Sequence, residues 1–153
     1  MTTKAIAPGL FSDLQRQDGS TKTVRILEGQ IFVCQGCCCG RSERKNPEVP
    51  VEAFKTQWKQ RGLRLRFHLT FTACLGPCVA ANVVLLLFAG ESLWLHSINS
   101  EAEVNLIYDH AEALLASGAF AMPSGRLAKH VFSRYMSPAE VLQRTTRPTM
   151  AET

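Results

Sequence analysis

Apolar and polar residues alternate without a break from Leu63 to Phe71. Leu63, Leu65, Phe67, Leu69 and Phe71 fall on one side, and Arg64, Arg66, His68 and Thr70 on the other. A period of two sustained this long predicts a strand with one buried and one wet face. Upstream, Thr23-Val24-Arg25-Ile26-Leu27 and Gln30-Ile31-Phe32-Val33 flank Glu28-Gly29, which predicts a hairpin with the second arm the stronger strand. The continuous apolar run Asn82 to Phe88 predicts a strand buried on both faces. Ala89-Gly90-Glu91-Ser92 turns that run into Leu93-Trp94-Leu95-His96-Ser97-Ile98, giving an antiparallel pair. Helical spacing appears twice. Val51, Phe54 and Trp58 share a face between Pro50 and Gly62. Val104, Ile107, Ala111, Leu114 and Leu115 form a stripe that opens on a Ser100/Glu103 capping box and closes at Gly118.

The chain divides into three parts on this pattern. Residues 1–22 carry no sustained period and contain Pro8, Gly9 and Gly19; they form an N-terminal extension with a short helical turn around Phe11 to Arg16. Residues 23–119 form the folded domain, and residues 120–153 a C-terminal extension. In that second extension Arg126 to Arg134 is expected to be helical, Pro138 to Leu142 to make a turn, and the chain from Thr145 to be disordered. The element order β-α-β-β-β-α outlines an α/β, thioredoxin-like domain, a central sheet with flanking helices.

Composition changes this picture little. The 153 residues are 46% hydrophobic and 20% charged, the profile of a globular protein with ample core. The longest apolar run, Val83 to Ala89, has the length of a strand and falls far short of a membrane span. The N-terminus has no signal-peptide core, so a cytoplasmic location is expected. The net charge of +4 is mild, and no nucleic-acid motif accompanies it.

The cysteines change it most. Six are confined to Cys34-Gln35-Gly36-Cys37-Cys38-Cys39 and Cys74-Leu75-Gly76-Pro77-Cys78, each cluster following a strand-like run. In a reducing compartment such clusters read as metal ligands or redox groups rather than structural disulfides. A C-x4-C pair, 34 intervening residues and a C-x3-C pair offer four thiolates. That is the full ligand set of a [2Fe–2S] cluster, in which each iron takes two. Structural zinc takes four cysteines too, and Cys34-x2-Cys37 is a common zinc spacing. The same Cys34-x2-Cys37 after a strand also suggests a thiol–disulfide oxidoreductase, although there the motif opens a helix directly. The remaining reading is buried or incidental cysteine, which could account for one or two of the six.

The frame from Ile31 to Leu115 resembles the thioredoxin-like [2Fe–2S] ferredoxins and the small [2Fe–2S] subunit of respiratory complex I. The resemblance rests on Val33-Cys34, on Cys39 five positions later, on the Cys74-Leu75-Gly76-Pro77-Cys78 loop, and on the apolar Ala81-Asn82-Val83-Val84 beside it. It implies Cys34, Cys39, Cys74 and Cys78 as cluster ligands. The triple cysteine departs from the family pattern, because Cys37 and Cys38 are also within reach of the second position.

The function expected is one-electron transfer between a protein donor and a protein acceptor, of acidic character if charge guides docking. Nucleic-acid binding and membrane insertion are not expected, and a homodimer is compatible with this reading. The alternative is a four-cysteine module, holding zinc or a labile cluster, in metal delivery or assembly. No phosphate loop, Ser/His/Asp set or catalytic carboxylate pair is present, so no enzyme activity is expected. Arg64, Arg66 and His68, with Arg41, Arg44 and Lys45, form either a cationic rim around the cysteines or simply a solvated strand face and loop. His68, His96, His110 and His130 have no mutual ligand spacing, and Trp58 and Trp94 fit packing positions.

Overall fold

A computed structural model describes residues 10–36 and 38–146. Cys37, Pro8, Gly9 and residues 147–153 lie outside the described residues. The chain runs β1 (Leu10–Gln15), β2 (Thr21–Ile26), β3 (Gly29–Cys34), α1 (Val51–Gln60), β4 (Phe67–Thr72), β5 (Val84–Phe88), β6 (Glu91–Leu95), α2 (Glu101–Ser117), α3 (Gly125–Ala128) and α4 (Pro138–Thr146). The main sheet has the order β4-β3-β5-β6. Within it β3 and β4 are parallel, and β5 and β6 are antiparallel to their neighbours. Parallel strands need a crossover, which α1 supplies. The order and directions are those of a thioredoxin-like sheet.

Register explains the core. Ile31, Leu69, Leu86 and Leu93 lie in one row across the four strands, and Val33, Phe71, Val84 and Leu95 in another. Both rows face the helices and pack with Phe54 of α1 and with Ile107, Tyr108, Ala111 and Leu114 of α2. Tyr108 ties the helices together by donating its hydroxyl to the Phe54 carbonyl at 2.8 Å. On the opposite sheet face, Cys34, Val83 and Trp94 form a second, smaller buried cluster with Cys39.

Several expectations need correction. The Phe11 to Arg16 segment is strand, not helix: β1 pairs with β2 around an Asp18–Gly19 turn, where the Asp18 carboxylate accepts from the Ser20 N–H at 2.9 Å. Leu10, Phe11 and Leu14 mimic helical spacing, which hid the strand. The expected hairpin across Glu28-Gly29 does not form, because β2 is exposed throughout while β3 enters the core sheet. The alternating stretch begins with a tight turn over Leu63–Leu65, and the strand follows from Phe67. The apolar run after Asn82 is not buried on both faces: β5 starts at Val84, and Leu87 is 36% exposed. Beyond α2, only Gly125–Ala128 is helical in the stretch read as helix. There His96 N–H donates to the His130 carbonyl at 2.9 Å and Phe132 N–H to the Trp94 carbonyl at 3.1 Å, so the segment runs along β6 as a strap. Pro138 opens a full helix, which includes Thr145. The last strand of the antiparallel pair lies earlier than expected, at Glu91–Leu95, and Ser100 caps no backbone N–H, its hydroxyl meeting the Glu103 carboxylate instead. The two main helices stand where the periodicity put them, with Gly62 and Gly118 just past α1 and α2. Among the described residues, no helix is long and apolar enough to cross a membrane.

Candidate metal centre

Parallel pairing decides where the cysteines meet. Cys34, the last residue of β3, stands in register with Thr72, the last of β4, so both cysteine loops leave the same end of adjacent strands. Gln35 N–H extends the ladder to the Thr72 carbonyl at 2.8 Å, and Cys34 N–H donates to the Val83 carbonyl at 3.0 Å. Cys34, Cys38, Cys39, Cys74 and Cys78 then gather around one closely packed cavity, too tight to admit a water, together with Gly76, Pro77 and Val83. All four sequence candidates are present at this cavity, and Cys38 joins them. The five described cysteines are free thiols.

The thiols approach in pairs. Cys74 Sγ and Cys78 Sγ are 3.5 Å apart at the outer side. Cys34 and Cys39 are both 3% exposed and lie against one another on the inner side. Burial pushes the Cys39 thiol up to about 12, with the Cys34 thiol adding to the rise and a hydrogen bond to Val83 opposing it. Hydrogen bonds from Cys74 and then Cys38 push the Cys78 thiol up to about 12 as well. Among the described residues, no group of three or more His, Cys, Asp and Glu side chains is gathered as around a single metal ion.

Both loops are fastened by groups that hydropathy alone does not reveal. Asn82 is buried, accepts from Gly40 N–H at 2.7 Å, and donates to the Pro47 carbonyl at 3.0 Å and to Asn99 Oδ1 at 3.1 Å. It thereby ties the first cysteine loop to the turn before β5. Its only sequence signal is a polar residue inside an apolar run. Arg41 Nε donates to the Gly36 carbonyl at 2.6 Å, and Arg44 Nη1 lies 3.0 Å from Cys38 Sγ. In the second loop Gly76 N–H donates to Cys74 Sγ at 3.2 Å. Gly76 has φ +117°, a backbone conformation that demands glycine, and the Arg134 guanidinium lies over it, with Nη2 2.7 Å from where a Cβ would stand.

Arg64 and Arg66 do not belong to this site. Arg66 pairs with Glu28 through two hydrogen bonds at the start of β4, where Phe67 is in register with Gly29. That end is five residues from Cys34, roughly 16 Å along the strands. The histidines are otherwise engaged: His96 Nδ1 meets Ser97 Oγ at 2.9 Å, His130 Nδ1 the His96 carbonyl at 2.9 Å, and His110 Nε2 the Ala121 carbonyl at 3.0 Å. His68 is exposed on β4.

The residues present fit a thiolate-held iron–sulfur group. Their donor atoms are sulfur, the four sequence candidates fall into a Cys34–Cys39 and a Cys74–Cys78 pair with Cys38 also against Cys78, and a backbone N–H already points at one sulfur. Trp94 adds an orphaned donor: its Nε1 is buried with no hydrogen-bond partner, and its ring packs in the same small cluster as Cys34 and Cys39. A buried N–H left unpaired costs about 1–3 kcal/mol.

No family model matches the chain, and no curated protein matches it. Among solved structures, a thioredoxin-like [2Fe-2S] ferredoxin from Aquifex aeolicus is similar, with 20% identity, 74% of this chain and 97% of that chain covered, and a TM-score of 0.49. A second structure of the wild-type Aquifex aeolicus protein aligns at 21% identity over 71% of this chain and 100% of that chain, with a TM-score of 0.45.

Proposed function

We propose that this chain is a [2Fe–2S] protein that passes single electrons between protein partners. The observation that carries the reading is the convergence of two cysteine loops, in two thiol pairs, at one end of adjacent parallel strands. Cys34 and Cys39 would hold one iron and Cys74 and Cys78 the other. When bound, the cluster supplies a reversible one-electron couple. The chain's own work is to position and insulate. Val83, Trp94 and the helix-backed sheet exclude water from the inner pair, while Cys74 opens to solvent where a partner can approach. The Gly76 N–H steadies Cys74. Cys39 and Cys78 must each give up a proton to ligate, so cluster loading is coupled to proton release.

The test is anaerobic purification followed by iron and sulfide analysis and a visible spectrum. Two irons and two sulfides per chain, with charge-transfer bands bleached by dithionite, are expected. A colourless chain holding one zinc would establish the metal-delivery module instead, and a metal-free chain with a reversible disulfide a thiol oxidoreductase.

A further inference from the structure

The strap after α3 brings a cation to the cysteine loop. Val131 bridges Leu95, and the two backbone hydrogen bonds from His96 and Phe132 hold the segment against β6. Two residues on, the Arg134 guanidinium lies 5.9 Å from the Trp94 ring centroid and 5.7 Å from that of Tyr135. Its Nη2 crowds Gly76, between Cys74 and Cys78. Three other arginines are paired with acids, Arg61 with Asp109, Arg66 with Glu28 and Arg41 with Glu43, while Arg44 stands by Cys38 on the first loop. Among the described residues no carboxylate lies within ion-pair distance of Arg134. Its positive charge is therefore directed at the thiol loop and at the face of Trp94, whose ring packs with the buried thiols.

We propose that Arg134 sets the reduction potential of the cysteine-held centre, acting as a positioning charge delivered by the C-terminal strap. This rests on the iron–sulfur reading. A cluster held by four thiolates gains one negative charge when it accepts an electron, so a fixed cation beside it stabilises the reduced form more than the oxidised form. Removing the cation lowers the potential. Because Arg134 is exposed, its effect is partly screened by salt.

The experiment loads the full chain and its Arg134→Gln, Arg134→Met and Arg134→Lys variants with cluster. It then measures potentials by dye-mediated titration on samples matched for iron and visible absorbance. Methionine keeps an apolar stem on Trp94, so it preserves packing if glutamine does not. Both neutral variants are expected to shift to more negative potential, with lysine staying near the wild type. The gap should narrow between ~0.02 M and ~0.5 M salt. Neutral variants that carry full cluster at the wild-type potential would overturn the role of Arg134 and leave the cluster reading standing. A wild-type chain that binds no iron and sulfide would overturn both, and its missing visible bands tell the two failures apart.

Discussion

Cys34 and Cys39 sit almost without solvent, whereas Cys74 is exposed, so the two thiol pairs meet different media. Serine in place of Cys34, Cys39, Cys74 or Cys78 is expected to remove most of the visible absorption, because a hard alkoxide matches iron–sulfide chemistry poorly. Cys38→Ser should retain it; loss there with retention in Cys39→Ser would transfer the ligand role to Cys38. The metal-free chain offers an independent check. With Cys78 pushed up to about 12, its thiolate appears only at higher pH than that of an ordinary cysteine near 8.5. Alkylation of Cys78 by iodoacetamide, mapped by mass spectrometry, should therefore stay slow through pH ~9. A half-maximal rate near pH 8.5 would show that Cys74 and Cys38 do not hold that proton in place.

At the scale of elements, the sheet and its two main helices were legible because each shows a clean period against a helix-backed core. Ile31 and Val33 on β3 and Leu69 and Phe71 on β4 all point to one side. For β2 the strand was read at Thr23 to Leu27 but given the wrong partner, and β1 was not legible at all: neither strand has a buried residue, so no burial pattern marks their pairing. The strap from His130 to Arg134 failed for another reason. It is held by backbone hydrogen bonds to β6, which no side-chain period records. A prediction belongs here too. Tyr108→Phe keeps the ring that packs edge-on to Phe54 at 6.0 Å but leaves the buried Phe54 carbonyl without its hydroxyl donor. It should cost about 1–3 kcal/mol in stability, read as a lowered denaturant midpoint with an unchanged slope. The visible spectrum should not change, since α1 and α2 lie on the sheet face away from the small cluster that holds Cys34. A fully stable variant would mean that water replaces the hydroxyl.

For the whole molecule, the sequence marked the thiols, but the surroundings of the site come from distant parts of the chain. Asn82 and Trp94 read as ordinary strand neighbours, and Arg134 lay in a segment expected to be helical. The cations nearest in sequence were a guide at one loop only: Arg41 and Arg44 sit on the first cysteine loop, whereas Arg66 stands at the far end of β4 and Arg64 just before it. Beside the second loop Val79 is fully exposed, so the entrance to the site combines an apolar tip with positive charge. An anionic oxidant should approach this end faster than a cationic one, and salt should reduce that advantage over a screening distance of ~8–10 Å. Stopped-flow oxidation of the reduced protein by ferricyanide should slow with added salt, while oxidation by hexaamminecobalt(III) should speed up. Arg44→Gln should flatten both trends, and Arg64→Gln should leave them unchanged, because the distance along the strands places Arg64 beyond the screening length. Equal salt slopes for the two oxidants would deny any steering by charge at the cysteine end. A larger effect from Arg64 than from Arg44 would place the electron's exit at the opposite end of the sheet.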